Sequence, residues 1–523
     1  MSEPRSDAII IGSGVNSLVC AVLLQSKGWT VHIIEQCETA GGAVKSGEYT
    51  LDGFRHDWAA MNLSLFAGSP FFQQFGEQLK EHGLELVEAH HCFSSVFPDG
   101  NWLGISKDSI ENAKRIRAYS DKDEASWNHL TEKFSVQAPL IVPFLQSPFK
   151  LAPLTKHIWQ LYRKEGIQGM SDLLRLMVSS PREWLDTHFE SEHVKATLAA
   201  WGMHLDFAPD IAGGAIFPFL ESFANQAFGM VIGKGGADSI IRAMVSFIES
   251  QGGTLEYGTR ASKIITSQGE AIGIEKEDGR VLLANKAVIA NVSPSALQRL
   301  VGNEGPKESL TCYDTFRHAP GTMMIHVAID KLPNWTASQT LKEFAYVHIA
   351  PSMDQMAQTY QQAMAGILPE HPVIVVGQPT AIDPSRAPNE KHALWIQVRM
   401  LPSDVLIDSI TGESVKNWKN LATPYSQHVL DIIEQYAPGF KESILSKRVV
   451  SPTDLEADNP NLVGGDQLCG SHHLNQNFWF RPAFGKSDGS TPISGLYHTG
   501  AAVWPGAGTG AGAGYLLAQK LTT

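Results

Sequence analysis

Between residues 7 and 34 the chain reads strand, tight turn, helix and strand, and that order leaves few folds open. Residues 7–11 (DAIII) form a short apolar run rich in β-branched side chains that ends at Gly12. Residues 18–27 are a nearly uncharged helix candidate closed by Gly28, a C-terminal stop signal, and residues 30–34 (TVHII) read as a second strand. A βαβ opening of this kind predicts an α/β protein with a parallel sheet and helices on both faces. The turn itself is Gly12-Ser13-Gly14-Val15-Asn16-Ser17. The first glycine permits the tight turn. The second lets the backbone approach a pyrophosphate, which then rests on the helix N-terminus, where unpaired N–H groups and the helix dipole favour negative charge. Ser17 stands where the fingerprint has its third glycine, and serine is small enough for the helix still to pack against the strand.

A bare G-x-G turn is common, so the neighbouring residues carry the weight. Glu35, with Gln36 beside it, ends the second strand, where a carboxylate can accept from the ribose hydroxyls of an adenosine and would repel a 2′-phosphate. Gly41-Gly42-Ala43 follows, a placement that suits FAD better than NAD. No second G-x-G-x-x-G stands behind a strand, and Gly233-Lys234-Gly235-Gly236 lacks Walker spacing. The five cysteines (Cys20, Cys37, Cys92, Cys312, Cys469) include no redox pair and no zinc spacing, which argues against a disulfide reductase and against a metal site. They form no disulfide framework either, so a reducing compartment, the cytoplasm, is expected.

The remaining composition narrows the partners. A net charge of −13 without clustered Lys and Arg opposes nucleic-acid binding. The N-terminus lacks the basic flank and cleavage site of a secretory signal. The long uncharged window near the C-terminus contains GLYHTGAAVWPGAGTGAGAGYLLAQ, whose glycines and Pro505 suit a ligand-contact loop and not a spanning helix. Residues 71–229 read as mainly helical, with prolines at 139, 143, 148 and 153 breaking one stretch; residues 301–485 mix strands and helices. The expected architecture is a Rossmann-like nucleotide-binding domain assembled from residues 1–70, 230–300 and 486–523, with a mixed α+β substrate domain from residues 71–229 and 301–485.

GSGVNSLVCAVLLQSKGWTVHIIEQCETAGGAV resembles the FAD-binding opening of the phytoene desaturase-like flavoproteins, a superfamily that includes amine oxidases and the non-enzymatic Rab GDP-dissociation inhibitors. Further pieces match in order: LDGFRHD at 51–57, WLDTHFESEHVKATLAAWG at 184–202, GKGGADSIIRAM at 233–244, VIANVSP at 288–294, IDPSRAPNEKHALWIQ at 382–397 and TPISGLYHTGAAVWPGAG at 491–508. They span nearly the whole chain, and the chain is most similar to the branch of pyridine nucleotide-disulfide oxidoreductase domain-containing protein 2. The resemblance implies non-covalent FAD, with Ala261 near the adenine and Gly500, Ala501, Pro505, Gly506, Ala507 and Gly508 against the ribityl chain and ring. It also implies hydride transfer from a C–H bond of a small apolar substrate to the flavin, by a desaturase, dehydrogenase or isomerase.

Such a reaction calls for an acid or base. His472 and His473 are the first candidates because they precede the segment that returns to the flavin; His204, Asp206 and His56 follow, and Trp504 is expected beside the ring. Aromatic residues such as Phe207, Phe217, Phe219, Phe223, Phe228, Trp479 and Phe480 read either as core or as a substrate tunnel. Residues 144–164 (FLQSPFKLAPLTKHIWQLYRK) mix apolar bulk with four basic residues, either an ordinary helix or one that touches a membrane surface. Two other classes stay open on the sequence: an amine oxidase-type enzyme, and a non-catalytic protein of the GDP-dissociation-inhibitor kind, to which Ser17 lends slight support and Glu35 and Gly41-Gly42 none.

Overall fold

The computed structural model describes residues 5–145, 147, 151–302, 310–414 and 417–523. The opening strand, Arg5–Ile11, shows why the chain becomes a layered α/β structure. Its side chains alternate between faces. Ala8 and Ile10 pack with Leu18, Leu24 and Ile240 on one side, whereas Ile9 and Ile11 pack with Ile264, Ile274 and Val288 on the other. A strand that is apolar on both faces needs cover on both.

Seven strands make this sheet, in the order Ala261–Ser267, Glu270–Lys276, Val281–Ala290, Arg5–Ile11, Val31–Ile34, Thr254–Glu256, with Leu496–His498 beside Val281–Ala290. The last four of the main path are mutually parallel, a Rossmann-type arrangement. Ala261–Ser267 and Glu270–Lys276 form an antiparallel hairpin on its edge. Leu496–His498 pairs in parallel with Val288, Ile289 and Ala290. The Val15–Ser26 helix crosses from the first strand to the second and ends before Gly28, whose φ of 80° closes it.

A second sheet of seven strands runs Ile444–Val450, Gly321–Ile329, His392–Leu401, Val373–Gly377, Tyr346–Ile349, His91–Val96, Trp102–Ser106. Residues 71–229 are mainly helical as expected, but the last two strands of this sheet lie in that stretch, as does Leu86–Ala89, which pairs with Met230–Gly233. The turn between them, Pro98-Asp99-Gly100-Asn101, is a hairpin signal, with Gly100 at φ 83°. A second correction concerns the prolines. The Asp121–Leu145 helix runs through Pro139 and Pro143, and Pro153 lies inside Leu151–Val178. Pro139 and Pro143 each delete one backbone bond of a long helix whose other turns continue through them, and Pro153 stands in a first turn, where its missing N–H has no helical partner to lose. The break in Leu151–Val178 falls instead at Gly166, φ 67°. Pro148 lies outside the described residues. Among the described residues no helix is long and apolar enough to cross a membrane.

Candidate functional site

The Gly12–Ser17 turn joins strand to helix beside a cavity of about 2090 Å³ that lies between the two sheets. Gly12 takes φ 85° and donates its N–H to the Ile34 carbonyl at 2.8 Å. Gly41, at φ 121°, donates to the Ser13 carbonyl at 3.1 Å, and a Cβ there would overlap the Val44 carbonyl. These two glycines fold the backbone flat at the rim. Gly14 is the N-cap of Val15–Ser26 and no side chain caps that helix; Gly14, Val15 and Asn16 line the cavity. The C-terminal helix, Gly512–Thr522, has no cap from its own N-cap residue, Ala511, although Asn16 Oδ1 takes the Gly514 N–H, and Gly510, Ala511 and Gly512 at its start also line the cavity. Two helix N-termini therefore open on one space, which is where an anionic diphosphate is stabilised.

Most of the expected cofactor residues line this cavity: Gly12 to Asn16, Glu35, Gln36, Gly41 to Ala43, Ala261, Ala501 and Pro505 to Gly508. Glu35 is buried and already engaged. One carboxylate oxygen accepts from the Ser13 N–H at 2.8 Å and its hydroxyl at 2.7 Å, and the other from the Cys37 N–H at 2.9 Å. A carboxylate has about four acceptor positions, so roughly one remains for a ribose hydroxyl. Ser17 and Gly500, expected at the cofactor, do not line the cavity. Both contact Asn291 instead. The Asn291 amide donates to the Ser17 hydroxyl at 2.9 Å, and a Cβ on Gly500 would overlap its side-chain oxygen. Asn291 itself lies on the cavity wall. The sequence carried its segment, VIANVSP, without marking this residue, and its position after the central strand was the available signal.

The C-terminal loop is fastened from beneath. The Ala507 N–H donates to His472 Nε2 at 3.1 Å, and a Cβ on Gly506 would overlap that same ring. Because Nε2 accepts, the ring carries its proton on Nδ1, and burial holds His472 well below the usual histidine range. His472 lines the cavity with its Nε2 lone pair already taken. Arg481, fully buried, donates to the carbonyls of Ala501 at 2.7 Å, Ser471 at 2.8 Å, and Leu468 and Gly470 at 3.3 Å. Burial lowers its pKa to about 10. Gly508 points its missing Cβ toward the Leu65 methyl, and its φ of 134° is what requires glycine there.

The other candidates divide. His473 does not line the cavity; its Nε2 lies 2.9 Å from the Asp206 carbonyl and 3.3 Å from the Asp206 carboxylate, behind the wall. Burial raises Asp206 to about 6 while its carboxylate accepts from the Ser471 hydroxyl at 2.5 Å. His56 is also off the cavity, bonded to Thr50 Oγ1 at 2.8 Å and lowered by burial to about 4. His204 does line it, with Nε2 3.1 Å from that of His348. Trp504 lines it too, donating to the Ser147 carbonyl at 3.0 Å, its ring against Phe478. Of the aromatic residues, Phe207, Phe217, Phe223 and Phe228 face the cavity; Phe219 packs against Trp184, and Phe480 is exposed.

The donor set and the flat glycine rim fit a dinucleotide. Ordinary ligand pockets hold about 300–1,000 Å³, so this volume accommodates a cofactor and a substrate together. Comparison with known proteins agrees. The chain is 27% identical over 552 residues to pyridine nucleotide-disulfide oxidoreductase domain-containing protein 2 of Rattus norvegicus, covering 98% of this chain and 92% of that one. It is 23% identical to a phytoene desaturase (neurosporene-forming) of Cereibacter sphaeroides, covering 97% and 93%. An oxidoreductase from Methanosarcina mazei shares the fold, with a TM-score of 0.61 at 18% identity over 99% of this chain and 100% of that one. Residues 18–353 match the family described as flavin containing amine oxidoreductase. The chain with two helix N-termini at a glycine-rimmed cavity belongs to that family, and its cofactor is FAD.

Proposed function

We propose that the protein is a desaturase- or dehydrogenase-type flavoenzyme that removes a hydride from a C–H bond of a small apolar substrate. The observation that carries this reading is the cavity beyond the nucleotide cradle, walled by Phe207, Phe217, Leu220, Phe223 and Phe228. Bound FAD supplies the two-electron acceptor at its N5 position. The chain supplies the rest. Gly14, Val15 and Asn16 present the helix end to the diphosphate. His472 and Arg481 hold the loop from Ala501 to Gly508 against the space for the ring. The phenyl rings exclude water and take up apolar area. His204, half-buried and held below the usual histidine range by desolvation, is the ring nitrogen donor–acceptor on that wall, hydrogen-bonded through Nε2 to His348.

The two-domain division given above, residues 1–70, 230–300 and 486–523 against 71–229 and 301–485, is part of this reading, with the cavity between them. So is contact with a membrane surface. In the Leu151–Val178 helix, Ile158, Trp159, Tyr162 and Ile167 are exposed, and the side chains at 144–146 and 148–154 lie outside the described residues. Val142 and Pro143, a few residues before that helix in the chain, are exposed and on the cavity wall. An amine oxidase cage gains no comparable support. The rings of Tyr346 and Trp395, both on the wall, stack on each other at 5.6 Å and 22° instead of standing apart as the two walls of a cage.

Anaerobic titration of the purified yellow protein with a panel of apolar alkenes, alcohols and amines tests the reading. Bleaching of the flavin band by an apolar alkene or alcohol is expected. Bleaching by amines alone, or a preparation that binds no FAD, would overturn it.

A further inference from the structure

We propose that Glu221 anchors the polar end of the substrate, taking a hydrogen-bond-donating group (a hydroxyl or a protonated amine) carried by an otherwise apolar molecule. The anchor rests on the reading above for its place in a catalytic cavity, but its chemistry stands on the wall itself.

Glu221 lies on the Ile216–Phe228 helix, whose residues Phe217, Leu220, Ala224 and Phe228 share the cavity-lining face with it. One carboxyl among four apolar side chains is an expensive arrangement unless something pairs with it. Glu221 is half-buried on that wall, whereas the protein's fully buried carboxylates are paired within the chain. Glu35 takes three donors from Ser13 and Cys37. Asp123 takes the N–H groups of Glu190 and Ser191, Asp466 those of Ala319, Leu468 and Gly470, and Asp57 is paired with Arg386. The Glu221 carboxyl has no such partner among the described residues, and burial alone acts on it, raising it to about 7.

The cations near this part of the wall are turned away. Arg399 donates to the carbonyls of Met203 and His204, at 3.2 and 2.7 Å, and makes no ion pair with Glu221. Gln397 donates to Gln467 at 2.6 Å. The wall near Glu221 is otherwise aromatic: Tyr346, whose hydroxyl feels the Glu221 charge, stacked on Trp395. A carboxyl that finds no donor in its own protein, inside a space that can hold a second ligand, is arranged to receive one from that ligand. Aromatic faces beside it favour a cationic or hydroxylic head on an apolar body.

Three probes of equal chain length separate the chemistries: 1-octanol, which donates and accepts; octylamine, which is a cation; and 1-methoxyoctane, which accepts only. Binding to the FAD-loaded protein is measured by calorimetry, which needs no turnover, for wild type, Glu221→Gln and Glu221→Ala, each first checked for circular dichroism and flavin content. The expected result is that octanol or octylamine binds wild type about tenfold or more tightly than the methyl ether, and that Glu221→Ala abolishes the difference. A preference for octanol kept by Glu221→Gln assigns a hydroxyl, since the amide still accepts. A preference for octylamine lost in Glu221→Gln assigns a protonated amine. Affinities for the three probes within about threefold of one another in wild type, or a preference that survives in Glu221→Ala, would overturn the anchor. A colourless preparation would instead count against the flavin reading, and the same titrations could still be run on it.

Discussion

Glu35 and Glu221 carry the same functional group into opposite surroundings. Glu35 receives three hydrogen bonds from its own chain, whereas burial raises Glu221 to about 7 from its ordinary 4.5. That shift makes stability depend on pH with a definite sign. Below 4.5 the carboxyl is protonated in folded and unfolded chains alike, and its contribution is fully present. As pH rises from 4.5 to 7 the unfolded chain ionises first, so the folded state loses stability, by about 3 kcal/mol once pH exceeds 7. Glu221→Gln has no such titration. Its thermal midpoint relative to wild type should therefore rise between about pH 4.5 and about pH 8, without added ligand. A gap that does not change with pH would mean that the carboxyl is paired or hydrated. Neither this residue nor Asn291 was legible in the sequence. FPFLESFANQAF reads as a helix with one charged position, and nothing local says that this position faces a cavity. Likewise Asn291 matters through Ser17 and Gly500, residues far from it along the chain.

Elements were legible where their signal was local. The first strand, its turn and its helix follow from β-branched residues, glycine punctuation and helical composition, and the observed Arg5–Ile11, Val15–Ser26 and Val31–Ile34 differ from the expected bounds by a few residues at most. The hairpin of His91–Val96 and Trp102–Ser106 was masked by helical neighbours, although its Pro-Asp-Gly-Asn turn was there to be read. The loop from Gly500 to Gly508 shows the limit of local reading. Its lack of bulk is plain, yet the reason for it is tertiary: His472 and Arg481 fill the space beneath. Arg481 joins residues Leu468, Gly470 and Ser471 to Ala501 through four carbonyls. Lysine has three donors on a point-like head and cannot reproduce that planar spread. Arg481→Lys should loosen the loop, lowering thermal stability by about 2–4 kcal/mol and speeding release of FAD on dilution. Retention of flavin and thermal midpoint at wild-type levels would show that the four carbonyls are satisfied some other way.

At the scale of the molecule, the two ends of the chain depend on each other. The Val15–Ser26 helix offers its N-terminus to the cavity, and Gly512–Thr522 does the same from the opposite end of the sequence. They touch through Gly514, whose N–H donates to Asn16 Oδ1 at 3.0 Å and whose missing Cβ leaves room for the Asn16 carbonyl. A Cβ there would overlap that carbonyl, which belongs to the first turn of the helix that bears the nucleotide fingerprint. Gly514→Ala isolates this contact because its other effect has the opposite sign. Within a helix, alanine is favoured over glycine by about 0.5–1 kcal/mol, and the φ of Gly514 is not one that alanine resists. Propensity alone would therefore raise the melting temperature. The contact argument says the reverse: the two helices are forced apart, both N-termini shift at the cavity, and the protein melts lower and loses FAD more readily. The measurement is thermal melting of the FAD-loaded and FAD-stripped protein, with released flavin followed by its fluorescence. If the ends are coupled, the loaded protein should lose more in its melting temperature than the stripped one. A variant that melts as high as wild type or higher, with its flavin retained, would mean that the two helix ends hold their places independently.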